Sequence, residues 1–117
     1  MLTWSRAFDK VIYISGDTVW YEGVAAVAER FPVGLAVLFM GSARIAAVGP
    51  SHLTMTADDA LQAARAFSQA PIIPLHFEGW THFSESHQDI NRAFVGAGLE
   101  SRVRWLVPGR RTSLLLA

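Results

Sequence analysis

The sequence predicts an α/β domain in which helices pack on a sheet. Three observations carry this. Short runs rich in β-branched and aromatic residues alternate along the chain with stretches of helical apolar spacing. The runs are strand-sized and almost continuously apolar, as buried strands are. Most of them end in a cluster of small and polar residues with loop composition.

The first clear strand is Val11-Ile12-Tyr13-Ile14, which breaks at Ser15-Gly16-Asp17-Thr18. A helix follows, with Val24, Val27, Ala28 and Phe31 on one face, and Pro32 stops it. Gly34 to Met40 is a second buried strand, broken at Gly41-Ser42-Ala43. Arg44 to Val48 reads as a short strand or an irregular segment before the Gly49-Pro50-Ser51 turn. Thr56 starts the next helix, with Asp58 and Asp59 suited to the positive end of its dipole and Ala60, Leu61, Ala64 and Phe67 on its apolar face. Ile72 to Leu75 is a third strand and runs into His76-Phe77-Glu78-Gly79-Trp80-Thr81-His82-Phe83. A last helix begins near Ser84 or Ser86, buries Ile90, Ala93, Phe94 and Ala97, and stops at Gly98. Val103 to Val107 reads as a final strand and Thr112 to Leu116 as a tail strand.

With 117 residues the chain has room for one domain and one core. It is 51% hydrophobic and only 17% charged, so apolar surface is expected to meet another subunit or to lack its usual cover. Ten basic and ten acidic residues cancel, which removes any electrostatic pull toward nucleic acid or an anionic membrane. Arg102, Arg104, Arg110 and Arg111 form the only basic cluster and read as a solvated strand and turn. No cysteine is present, which excludes disulfides, thiolate ligands and cysteine nucleophiles and suits a reducing cytoplasm. The N-terminal segment lacks a signal-peptide core, and Val33 to Met40, the longest apolar stretch, is strand-sized. A cytoplasmic location is expected.

The chemistry is expected in the clusters that follow strands, the usual ligand sites of α/β folds. Asp17 offers a hard oxygen ligand and His76 an imidazole, a pairing that suits zinc, manganese or iron. Each has a plainer reading alone: Gly-Asp-Thr is also a turn in which the aspartate bonds its own backbone, and a histidine after a strand is often structural. Ser15, Thr54 and Thr56 suggest no Ser-His-Asp arrangement. His87 falls in the first turn of a helix.

Taken in order and spacing, Val11–Thr18, the Met40–Ala43 break, His52–Ala60 and Ile72–Phe83 resemble the second half of metallo-β-lactamase-fold, zinc-dependent hydrolases, over roughly Asp9 to Arg111. The resemblance implies half of an αββα sandwich: one mixed sheet with helices on its outer face. It implies a two-metal centre holding zinc, or manganese or iron, with Asp17 as the bridging aspartate and His76 as a further ligand. Thr18, His52, Met55, Glu78, Trp80 and His82 would line the pocket or support the ligands. The reaction implied is attack of a metal-activated water on an ester, lactone, amide or phosphodiester.

The family's His-x-His-x-Asp-His run and another ligand histidine belong to its N-terminal half, and the first histidine here is His52. The chain therefore reads as a truncated or split reading frame, or an excised half-domain. Two ligands fall short of the three protein ligands of a catalytic zinc, so one chain is expected to bind metal weakly or not at all and to be inactive without its complement. An uncovered sheet face implies a homodimer or higher oligomer, or a missing N-terminal half, as partner. The alternatives are a non-catalytic, self-associating remnant and a small-molecule binding module using Phe77, Trp80 and Phe83. The fold alone does not imply β-lactam cleavage.

Overall fold

The computed structural model describes residues 2–5, 9–47, 49–80 and 83–117. A four-stranded mixed sheet forms from β1 (Leu2–Ser5), β2 (Lys10–Ile14), β3 (Val33–Phe39) and β4 (Ile72–Leu75), in that spatial order. β1 runs antiparallel to β2, and β2, β3 and β4 are parallel. Parallel neighbours need long crossovers, and α1 (Glu22–Arg30) and α2 (Ala57–Ala66) supply them. α3 (His87–Gly96) follows β4 and packs on α2.

Alternation along the strands decides which side meets the helices. Val11 and Tyr13 of β2, Ala36 and Leu38 of β3 and Ile72 of β4 join Ala60, Ala63, Ala64 and Phe67 of the α2 region and Ile90 and Phe94 of α3 in one core. The alanines of α2 allow the helix to lie close over the sheet. β4 contains Pro74 and stands last in the sheet order, where a residue without an N–H interrupts little hydrogen bonding. α2 and α3 each start with a complete capping box, Thr56 with Asp59 and Ser86 with Asp89. α1 has no side-chain cap. Among the described residues, no helix is long and apolar enough to cross a membrane.

Several expectations are corrected. Leu2–Ser5 is a strand the sequence pattern did not announce. Val103 to Val107 contributes one bridge, Val103 to Ile72, instead of a strand, and Thr112 to Leu116 forms no strand. Of the two readings for the segment from Arg44, the irregular one holds over residues 44–47, which end in a turn. The tail instead crosses the sheet face opposite the helices: Ala117 donates to the Gly34 carbonyl at 2.9 Å, and Leu116 lies over Gly34. Leu35 and Ile73 point to that face and are buried, whereas Ile12, Ile14, Val37, Phe39 and Leu75 are only half-buried there.

Arg102 is also corrected. It is half-buried, and its guanidinium donates to the carbonyls of Ala64, Phe67 and Ala70 where α2 ends. Burial draws its pKa down from the ordinary value. This member of the basic cluster closes a helix C-terminus and is not a freely solvated charge.

Candidate metal centre

Because β2, β3 and β4 are parallel, their carboxyl ends share one edge of the sheet. β2 hands over to Ser15, Gly16 and Asp17; β3 to Met40, Gly41 and Ser42; β4 to His76 and Phe77. These junctions are tied together. Ser15 donates its amide to the Val37 carbonyl (2.9 Å), and its Oγ accepts from the Phe39 amide (2.8 Å). The Met40 amide donates to the Leu75 carbonyl (2.8 Å).

The backbone turns sharply at this edge. Gly16 (φ +65°), Gly41 (φ +88°), Ser42 (φ +47°) and His76 (φ +60°) all adopt left-handed conformations. For histidine and serine this is uncommon and costs on the order of 1 kcal/mol, a strain that concentrates at functional sites. Gly41 is required sterically as well. A Cβ there would lie 2.9 Å from Phe83 Cδ1 and 3.0 Å from both the His76 carbonyl oxygen and Phe77 Cα.

That arrangement brings Asp17 and His76 together. His76 Nδ1 lies 3.8 Å from Asp17 Oδ1, with His76 33% and Asp17 67% exposed. The separation is too long for a hydrogen bond. Nδ1 itself is buried and has no hydrogen-bond partner, although the ring around it is partly open. The ring is held between Phe39 (centroids 5.1 Å apart) and Phe83 (4.9 Å). A buried polar atom without a partner is costly, and ligation by an ion is one way to satisfy it. The 3.8 Å gap is within the sum of two zinc–ligand bonds of ~2.0–2.2 Å each. The two residues therefore fit a shared metal ion. Among the described residues, no group of three or more His, Asp or Glu is placed to hold one.

The other expected residues spread out around this pair. Thr18 follows Asp17 and donates to the Val19 carbonyl at 3.3 Å. His52 contacts Ser42 Oγ and the Arg44 guanidinium. Met55 is fully buried in the core, so it seats the loop from beneath and presents no surface to a ligand. Glu78 is exposed, as is Trp80, at 65%. His82 lies outside the described residues. His87 opens α3 and stacks on Trp105 at 3.8 Å.

Sequence reading missed what braces the site. Thr54 Oγ1 is buried, donates to the Met40 carbonyl (2.7 Å) and accepts from the Ala43 amide (2.9 Å). Glu85 Oε1 accepts from the Ala57 amide at 2.8 Å, while the Ser84 and Glu85 amides donate to the Gly41 carbonyl. These partners are 11 to 44 residues apart, and no local spacing signals them.

The fold is similar to that of solved metallo-hydrolases. A solved isothiocyanate hydrolase from Delia radicum gut bacteria superposes with a TM-score of 0.80 at 28% identity, covering 93% of this chain and 41% of that one. A protein from Veillonella parvula, described as a possible metal-dependent hydrolase, gives 0.80 at 25% identity, over 91% of this chain and 40% of its own. The Ignicoccus hospitalis metallo hydrolase Igni18 shares the fold at 22% identity and a TM-score of 0.63, covering 86% of this chain and 40% of its own.

No protein-family model matches the chain. Among curated proteins it resembles the UPF0173 metal-dependent hydrolases. The relative from Oenococcus oeni is 39% identical over 69 residues, 59% of this chain and 26% of that protein. The Bacillus subtilis UPF0173 protein YddR is 27% identical over 107 residues, 92% of this chain and 41% of its own length. The chain spans at most about two-fifths of the length of these relatives, and it corresponds to their C-terminal half.

Proposed function

We propose that this chain supplies the Asp17–His76 portion of a metal-dependent hydrolase centre acting on an ester, lactone, amide or phosphodiester. The observation that carries the reading is the buried, partnerless His76 Nδ1, held in a strained residue and facing the Asp17 carboxylate. The chemistry that zinc, or manganese or iron, supplies in a centre of this type is activation of a water for attack on the substrate. Asp17 and His76 would hold the ion, and two metals is the number the family resemblance implies. Phe39 and Phe83 pack against the imidazole and orient it. The remaining ligands have to come from outside these 117 residues, and without them the chain is inactive. We further propose a cytoplasmic location, with which the cysteine-free sequence is compatible.

A second reading has its own observation. The half-buried Ile12, Ile14, Val37, Phe39 and Leu75 lie on the sheet face opposite the helices. That face is our proposed surface for a homodimer or a completing partner. Sedimentation velocity showing a stable monomer at high micromolar concentration contradicts self-association.

Isothermal titration with zinc tests the first reading. The full chain is expected to bind about one ion weakly, and both Asp17→Ala and His76→Ala to weaken binding at least about ten-fold, or ~1.4 kcal/mol. Binding unchanged in both variants defeats the assignment.

A further inference from the structure

The loop after β3, which packs against His76 at Gly41, carries a second group of polar side chains. Arg44 is exposed, and one edge of its guanidinium faces the His52 ring, with Nη2 3.1 Å from Nε2 and Nε 3.4 Å from Nδ1. A guanidinium only donates and a neutral imidazole accepts at one ring nitrogen, so Nε2 takes the Nη2 proton and Nδ1 carries the ring proton toward Ser42 Oγ. His52 is itself anchored at Nδ1 by Ser42 Oγ, on a buried, left-handed residue. The Ser42 carbonyl accepts from Ser84 Oγ at 2.6 Å, and Gly41, beside it, abuts the His76 carbonyl. Arg44 is thus mounted on the same braced loop that packs against His76.

This mounting differs from that of the other arginines with resolved hydrogen bonds. Arg102 and Arg104 spend their N–H groups on backbone carbonyls. Arg44 is oriented by an imidazole, and among the described residues the one charge pair within 4.0 Å is Asp17 with His76. An exposed guanidinium carries ~2 kcal/mol of rotamer entropy, so holding one in place without a carboxylate partner leaves a preorganised fork for an oxyanion.

We propose that Arg44, positioned by His52 and Ser42, binds an oxyanion group, carboxylate or phosphate, on the substrate of this site. The proposal rests on Asp17 and His76 marking the substrate-facing corner. The chain carries no net charge, so such selectivity has to come from a local cation of this kind.

The test is a nuclear magnetic resonance titration of the full chain with sodium phosphate and, separately, sodium acetate, at ionic strength held constant with sodium chloride. The Arg44 Nε–H and His52 ring signals are expected to shift saturably. Saturation by phosphate alone, acetate alone or both supports the proposal and names the group. Arg44→Gln is expected to weaken binding at least about ten-fold, the loss of a charge-assisted contact. His52→Ala should weaken it several-fold, with partial rescue in His52→Gln, which keeps an acceptor. Arg111→Gln, which removes an exposed cation of the tail, should leave it unchanged. Shifts that do not saturate, or an affinity unaltered in Arg44→Gln, overturn the proposal. Anion binding without zinc binding sinks the metal reading alone, and zinc binding without anion binding sinks this one alone.

Discussion

Arg102 offers the most quantitative test of how the fold supports the site. Its guanidinium reaches Ala64, Phe67 and Ala70, all buried residues, with contacts at 2.8 Å to the Phe67 carbonyl and 2.8 and 3.1 Å to the Ala70 carbonyl. The Phe67 carbonyl also accepts from the Ala70 amide, so the Ala64 and Ala70 carbonyls depend most on Arg102. Replacing Arg102 by Met keeps the apolar stem and removes every donor. Two charge-assisted hydrogen bonds of ~1.5–3 kcal/mol each set an upper range, and partial access of water to the half-buried site reduces it to ~2–4 kcal/mol. Arg102→Lys retains one donor cluster and should lose about half as much, ~1–2 kcal/mol. Urea unfolding followed by far-ultraviolet circular dichroism measures both. At ~4 °C per kcal/mol for a domain of this size, the Met variant should melt ~8–16 °C lower. A loss under ~0.5 kcal/mol in Arg102→Met would refute the view that this side chain closes α2.

The glycines of the site separate strain from collision. Gly16→Ala meets open space and should cost only the left-handed penalty, ~1–2 kcal/mol, whereas Gly41→Ala adds contact with two backbone atoms and should cost ~2–4 kcal/mol and weaken zinc binding. Equal losses in the two variants, by thermal melting, would contradict the packing of Gly41 on His76. Asp89 predicts a pH dependence. The Ser86 amide and then the Ser86 hydroxyl donate to its carboxylate and hold its pKa below the ordinary carboxylate value. A depressed carboxylate stabilises fully above its unfolded pKa and loses that contribution as pH falls through the folded value. The stability gap between wild type and Asp89→Asn should therefore be present at pH 7 and shrink below about pH 4, and a gap that widens in acid argues against the capping box.

Much of the fold was legible because it rests on local rules. Thr56 with Asp59 and Ser86 with Asp89 carry helix starts within four residues, and Val11–Ile14 and Ile72–Leu75 are too apolar and β-branched for anything but buried strands. What local rules do not encode was missed. Leu2–Ser5 becomes a strand only because β2 offers it an antiparallel edge. Val103 to Val107 has strand composition, yet pairs with β4 at a single bridge. Arg102 sits among arginines in sequence, but its role is set by carbonyls 32 to 38 residues away. At the site, Asp17 and His76 were recognisable as residues that follow strands, and parallel pairing of those strands brings them within 3.8 Å. The Ser42–His52–Arg44 group was not readable as a unit, because its members sit on irregular backbone up to ten residues apart.

The most direct measurement is a crystal structure of the chain soaked in zinc, with anomalous differences collected at the zinc edge. A peak bonded to both Asp17 Oδ1 and His76 Nδ1 is the expected result. Zinc bound at other histidines with His76 Nδ1 still without a partner, or no zinc at all, contradicts the assignment of these two residues to a metal centre.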